Sequence, residues 1–504
     1  MTRRPTSAVT SPPRQTRPLT RIVATLGPAT DGDDELARVV EAGVSVVRLN
    51  FSHGTFADHL RHLQRVRRVA DRLGRTVAVL GDLRGPRIRV GHCPHPVEVK
   101  EGELVEWRRT PSRGRVRHGL AAAFAVTEPS VIEDLRIGQR VLVADGTLRM
   151  RVVEAHGSRV VTEVEIGGEI RTGKGINLPD TRLSVPVIGP HDRKAIAWSL
   201  RHEVDLLALS FVRRAADLHE LRRLAGGGRR SSRREDGPRL VAKIERPEAI
   251  DHLEAIVAAS DAVMVARGDL GAEMGLEAVP PLQRRILASA HAAGRPAIVA
   301  TEVLASMTTA ATPTRAEVGD LSRAVLDEAD AIMLSGETAI GRHPDLVVRA
   351  AATVLRRAER WSAESQIFAA TPSQPGEAFA LALAAWQYAT QRGADLVVVA
   401  SDEPELVRTL AQRNFSVPIV AVGLGGAPLR RLLLHRGVVP VPSDAHPTLD
   451  AALEAIRDRA AMLGVPWPAL EGGGVCVAVG RLANGGLRPI EMAGTAATRR
   501  RRRS

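Results

Sequence analysis

Leu240-Val241-Ala242-Lys243-Ile244-Glu245 is a short apolar, β-branched run that ends in charge. It has the length of a strand, and on a strand Lys243 and Glu245, two apart, point to the same side. The design recurs. Apolar runs lie at 22–26, 44–51, 77–80, 204–211, 240–244, 262–265, 297–300 and 331–334, with helical patterns such as 34–41 and 281–291 between most of them. Eight strand-then-helix units predict an α/β fold built on a parallel (β/α)8 TIM barrel, with an open doubly wound sheet as the alternative that periodicity alone leaves. Polar residues after the runs favour the barrel: Asn50 and Ser52, Asp82, Ser210, Lys243 with Glu245, Asp269, Thr301, and Ser335 with Glu337. A barrel gathers the carboxyl ends of its strands on one face, so these residues become neighbours. Taken singly, Ser210 or Thr301 reads as a helix N-cap. Polar groups at seven of the eight run ends read as a site.

The spacing breaks once. From Arg89 to about Pro186 the chain turns to short β material, at 103–107, 141–145 and 160–166. This predicts a small all-β domain over 90–186, a β-barrel lid inserted after the third strand, with the catalytic barrel formed by 21–89 and 187–358. A new α/β pattern, with strands at 396–400, 417–422, 438–441 and 475–479, predicts a C-terminal α/β domain over 360–496.

A net charge of +13 invites a nucleic-acid reading, but its location argues against one. Five arginines and no acid lie in residues 1–21, and five more run from Arg499 to Arg503; without those ten charges the rest carries +3. Residues 1–20 and 497–504 are therefore expected to be disordered basic tails. No apolar span of membrane length occurs. Cys93 and Cys476 have neither metal-ligand nor redox spacing, which suits a reducing cytoplasm. Of 70 basic residues only four are Lys: Lys100, Lys174, Lys194 and Lys243. Where Arg serves almost everywhere, a retained Lys marks a place for a compact, rotatable ammonium.

Lys243 beside Glu245 reads, in isolation, as a structural ion pair. The second run, Met264-Val265-Ala266-Arg267-Gly268-Asp269-Leu270-Gly271, enters a glycine-flanked turn where backbone amides can approach a ligand. Glu245 and Asp269 together suit Mg²⁺ or Mn²⁺, with substrate oxygens and water completing the shell. Lys243 at such a metal can neutralise a phosphoryl group in transit. Arg48 shares a strand face with Asn50 and Ser52 and suits a phosphate; His53 before Gly54 reads as a nucleotide contact rather than an acid–base group.

These stretches form a recognisable set. Thr25–Thr30 (TLGPAT), Arg48–Gly54 (RLNFSHG), Gly173–Pro179 (GKGINLP), Lys243–Glu245 (KIE), Ala266–Gly271 (ARGDLG), Pro313–Glu317 (PTRAE) and Met333–Ala339 (MLSGETA) resemble, in order, the signature blocks of the pyruvate kinase family. The resemblance implies that Glu245 and Asp269 hold the divalent metal, and that Lys243 and Arg48 act on the phosphoryl group passing from phosphoenolpyruvate to ADP. It implies a carboxylate seat at Gly268, Asp269 and Thr301, and proton delivery through Thr301, Ser335 and water. Pro28, Asn50, His53, Arg89 and Lys174 match nucleotide-contacting positions. A glycolytic homotetramer in the cytoplasm is part of the same expectation. A metal-dependent lyase or aldolase, and a weakly active paralogue binding RNA through its tails, are the rival readings.

The chain departs from that family in three places. The usual third-strand motif, Asp-Thr-Lys-Gly-Pro-Glu-Ile-Arg, is here Asp82-Leu83-Arg84-Gly85-Pro86-Arg87-Ile88-Arg89. Asn50, Ser52, Asp82 and the position of Leu83 correspond to the family's potassium site, and a fixed guanidinium at Arg87 can replace that ion's charge. Activity without potassium is expected. Glu302 puts an acid beside Thr301, near the carboxylate seat. Ser401-Asp402-Glu403-Pro404-Glu405 and Ala483-Asn484-Gly485-Gly486 replace the phosphate-binding loops of sugar-bisphosphate-activated members, so no response to fructose 1,6-bisphosphate is expected.

Overall fold

The computed structural model of the chain describes residues 17–110, 118–144, 146–226, 237–364, 377–400, 404–412, 416–423, 425–443, 449–466, 475–481 and 487–493. Eight parallel strands close into a barrel: Arg21–Thr25, Val46–Asn50, Ala78–Leu83, Leu206–Leu209, Arg239–Ile244, Ala262–Ala266, Ala297–Ala300 and Ala331–Leu334. They are the eight expected runs, with ends moved by a few residues. Most of their residues are buried on both faces, which is why they read as unbroken apolar runs. Val23, Leu80, Leu206, Val241, Met264, Ile298 and Met333 fill the interior, and Leu433 and Leu434 of the C-terminal domain join that cluster.

The insert leaves the barrel after Ala78–Leu83 and returns before the helix Pro190–Arg201. It is a six-stranded sheet, in the order Ile176–Asn177, Arg140–Val143, Leu148–His156, Arg159–Ile166, Leu104–Arg108 and Ala122–Ala125, beside a two-stranded ribbon of Val97–Val99 and Gly168–Ile170. Among the described residues the edge strands Ile176–Asn177 and Ala122–Ala125 do not pair with each other directly; the segment 88–91 lies between them, with antiparallel bridges Arg89 to Gly175 and Val90 to Val126. The lid has its own core, in which the Trp107 indole donates to Thr162 (3.0 Å).

The C-terminal domain is a five-stranded sheet, Val438–Val441, Ile419–Val422, Leu396–Ala400, Cys476–Arg481 and Leu487–Ala493, of which the last is antiparallel. Most of the expected tails lie outside the described residues, but 17–20 correct that expectation. Leu19 and Thr20 are buried, and Glu359, near the end of the long helix Pro344–Glu364, accepts from both of their amides at 3.0 and 2.7 Å. That carboxylate gives the segment partners its sequence does not reveal. Among the described residues no helix is long and apolar enough to cross a membrane.

Candidate active site

At the carboxyl end of the barrel Lys243 is 6% exposed and surrounded by oxygen. Its Nζ donates to Ser210 Oγ at 2.7 Å and lies 2.8 Å from Glu245 Oε1 and 3.5 Å from Asp82 Oδ1. Burial works against the ammonium, but Asp82 and Glu245 outweigh it and raise the Lys243 pKa above its usual value. Asp82 shows the mirror effect: burial favours its neutral form, yet Lys243 and Arg48 hold it below the usual carboxylate range. Arg48 grips Asp82 Oδ2 through Nε (2.8 Å) and Nη2 (2.7 Å) and reaches Thr25 Oγ1 at 3.1 Å. The residue called from the sequence as a phosphate grip is thus held in place by a carboxylate from the next strand.

Ser210 is not a helix N-cap. Its hydroxyl, besides accepting from Lys243, donates to the Leu83 carbonyl at 2.8 Å. Thr301 is not one either: its Oγ1 accepts from the Gly268 amide at 2.8 Å. Thr301 and Glu302 hold φ of +66° and +53°, a left-handed turn that a β-branched residue seldom adopts. Arg267 maintains it, donating to the Thr301 carbonyl at 3.2 and 2.9 Å and to the Glu302 carbonyl at 3.2 Å, while Asp320 braces the guanidinium at 2.6 Å. The Glu302 side chain is exposed. Arg267 and Asp320 were not legible as functional residues; the hint was an arginine directly before Gly268-Asp269.

The strand Ala262–Ala266 runs straight into the helix Arg267–Met274, placing Gly268 and Asp269 in its first turn, where N–H groups lack intrahelical acceptors. Asp269, Glu245, Lys243, Ser210, Arg87 and Arg89 line a cavity of about 250 Å³ between barrel mouth and lid. Glu245 is fully buried; its Oε2 accepts from the Phe211 amide at 2.6 Å. Its Oε1, although close to Lys243, is in hydrogen-bonding geometry with nothing. A buried carboxylate that lines the cavity and already holds one cation, Lys243, fits a ligand for a second. Among the described residues no group of three or more His, Cys, Asp or Glu forms a metal cluster. A two-carboxylate site suits Mg²⁺, which keeps water and substrate oxygens in its shell.

Other candidates rim this centre. His53 lies in the field of Arg87, Arg89, Arg48 and Arg84; burial first, then those arginines, hold its pKa below the usual imidazole value. It is a neutral group amid four cations, which favours a polyanion nearby. Arg87 senses Asp269, Asp82 and Glu245, though burial and Arg89 still lower its pKa. The Asn50 side chain accepts from the Ser52 amide at 3.1 Å, and Leu83, at the strand end, is buried. Arg89 donates to the Gly173 carbonyl (2.6 Å) and Val90 to that of Lys174 (2.9 Å), so the Lys174 loop lies against the first lid crossing. Pro28 opens a short 3-10 helix that packs near Gly336–Ala339. The Ser335 hydroxyl is buried without a hydrogen-bond partner, and its amide donates to Glu337 (2.7 Å). The helix Pro404–Ala411 begins at Pro404 with Glu405 in its first turn, while 401–403 and 483–486 lie outside the described residues.

Comparison with known proteins agrees with this geometry. The sequence matches the family model described as pyruvate kinase, barrel domain, over residues 17–348. A pyruvate kinase of Mycobacterium intracellulare is 40% identical over 405 residues, covering 80% of this chain and 82% of that protein. One from Agrobacterium vitis is 36% identical over 436 residues, 86% and 88% of the two chains. A solved pyruvate kinase from Cryptosporidium parvum superimposes with a TM-score of 0.85 at 29% identity, covering 96% of this chain and 98% of that one.

Proposed function

The chain belongs to the pyruvate kinase family and is a phosphotransferase, and from that premise we propose that it moves the phosphoryl group of phosphoenolpyruvate to ADP, giving pyruvate and ATP. The observation that carries this reading is the buried Lys243, set among Asp82, Ser210 and Glu245 at the mouth of the barrel. A cation fixed in a site of low exposure stabilises charge on a phosphoryl group far better than one in water. Arg48, oriented by Asp82, faces the same group. Glu245 and Asp269 hold Mg²⁺ or Mn²⁺, which supplies charge neutralisation and a template for phosphoryl and substrate oxygens.

The substrate carboxylate sits at the head of the helix Arg267–Met274. Gly268, Asp269 and Thr301 form that seat, and the Gly268 amide and Thr301 hydroxyl already meet at 2.8 Å. Thr301, the unpartnered Ser335 hydroxyl and water deliver the proton to the methylene carbon once the phosphoryl group has left. Pro28, Asn50, His53, Arg89 and Lys174 contact the nucleotide. Arg87 replaces the charge of a bound potassium ion among Asn50, Ser52, Asp82 and Leu83, and the acidic start at Glu405 turns sugar bisphosphates away. The enzyme works in glycolysis, in the cytoplasm, as a homotetramer without nucleic-acid or membrane partners.

A lactate-dehydrogenase-coupled assay tests the reading. Pyruvate should appear with phosphoenolpyruvate, ADP and Mg²⁺, vanish without ADP, and show the same saturation curve with fructose 1,6-bisphosphate present. Pyruvate formed equally well without ADP would assign the site to a lyase or phosphatase instead.

A further inference from the structure

Arg246 directly follows Glu245 and is 2% exposed. Its guanidinium ties three parts of the molecule together. Nη1 donates to both carboxylate oxygens of Glu273, each at 3.1 Å. Nε and Nη2 reach Glu248 at 3.1 Å, and Nη2 also reaches the carbonyls of Leu178 (3.2 Å) and Thr181 (3.1 Å), just beyond the last lid strand. Glu273 is as buried as Arg246 and accepts from the Asn177 side chain at 2.9 Å. It stands four residues beyond Asp269 on the helix Arg267–Met274, hence on the same helical face. One ion pair therefore links the neighbour of Glu245, the helix of Asp269, and the segment that leads from Lys174 back to the barrel.

We propose that Arg246 is a positioning residue: through Glu273 it ties the strand end that carries Glu245 and the helix that carries Asp269 to the returning segment 177–185, so that the two carboxylates and the lid are held in one arrangement. The proposal rests on Glu245 and Asp269 being the metal ligands. On its lid side the segment is part of the lid itself: Asn177 pairs with Leu142, Leu178 and Val185 lie in the lid core, and Arg140 meets Asp180 at 2.6 Å. On its barrel side it is held by Arg246 and by Arg213, which donates to the carbonyls of Leu183 and Val185. The Arg246–Glu273 pair is buried, and breaking it on one side leaves an uncompensated charge.

Manganese titration calorimetry and hydrogen exchange test this without relying on turnover. Glu245→Gln should weaken Mn²⁺ binding; unchanged affinity there would refute the metal assignment itself. With that control in place, Arg246→Lys and Glu273→Gln should each weaken Mn²⁺ binding by roughly tenfold or more, because the strand end of Glu245 and the helix of Asp269 are then no longer tied together. Amide exchange in 177–185 should accelerate while that of the lid strand Arg159–Ile166 stays unchanged. Should Arg246→Lys fail to fold, Asn177→Ala, which removes one donor, should still accelerate exchange in 177–185 selectively. Mn²⁺ affinity within twofold of wild type in both variants, or exchange that rises equally in the lid, overturns the proposal.

Discussion

Lys243 owes its charge to its neighbours: burial alone would favour the neutral amine, and Asp82 and Glu245 reverse that preference. Replacing it has two separable consequences. Lys243→Met should lower kcat by roughly 10²–10³, the loss that follows removal of a fixed electrostatic stabiliser. It should also lower unfolding stability by about 3 kcal/mol, because Glu245 is left buried without its cation. Steady-state kinetics and urea unfolding on the same preparation check both. Arg87 makes the second claim at this scale. Wild-type rates in potassium and in tetramethylammonium should agree within about twofold, whereas Arg87→Glu should acquire a requirement for potassium, since the fixed charge is gone. Strong stimulation of the wild type by potassium would refute the substitution idea. The residues at the strand ends were legible because seven of the eight apolar runs stopped in a polar group. Arg246, Glu273, Arg267 and Asp320 were not, since their meaning lies in pairings between distant segments, such as Arg267 with Asp320, that no local pattern encodes.

The barrel strands and the lid strands differ in how they announce themselves. Ala297–Ala300 is buried throughout and reads as an apolar run, whereas Leu148–His156 alternates buried and exposed, with Arg149 and Arg151 diluting the signal. That dilution hid Val97–Val99, Leu148–His156 and Gly168–Ile170. The lid's existence was readable from a break in spacing; its sheet order was not. At the opposite end of the barrel, His291 closes the helix Val279–Ala292 beside Asp330 (3.3 Å) and Glu328 (3.5 Å). Burial opposes its charge, but the two carboxylates prevail and raise its pKa to about 9. A folded-state pKa above the unfolded value of about 6.5 means that this contribution is complete below pH 6.5 and is lost as pH rises through 9. Thermal unfolding should therefore come several degrees earlier at pH 9.5 than at pH 6.5, and His291→Ala should remove most of that difference. Equal pH dependence in the variant would show that another group is responsible.

Across the whole molecule, the plan of barrel, inserted lid and C-terminal domain follows from where the βα rhythm holds, breaks and resumes. What joins the parts does not. Leu433 and Leu434 enter the cluster inside the barrel, and Arg21, on the first barrel strand, donates to the carbonyls of His435 and Val438. These contacts put the C-terminal domain under the barrel floor, opposite the lid, so that the reacting end is left to the lid alone. The central claim is phosphoryl transfer between two bound substrates at Lys243, Glu245 and Asp269. Phosphorus NMR of the protein with phosphoenolpyruvate, ADP and Mg²⁺ tests it most directly. The phosphoenolpyruvate resonance should give way to the γ-phosphate of ATP, with no matching rise in inorganic phosphate, and Lys243→Met should nearly abolish the exchange. Release of inorganic phosphate in place of ATP, or undiminished transfer in that variant, would contradict the account.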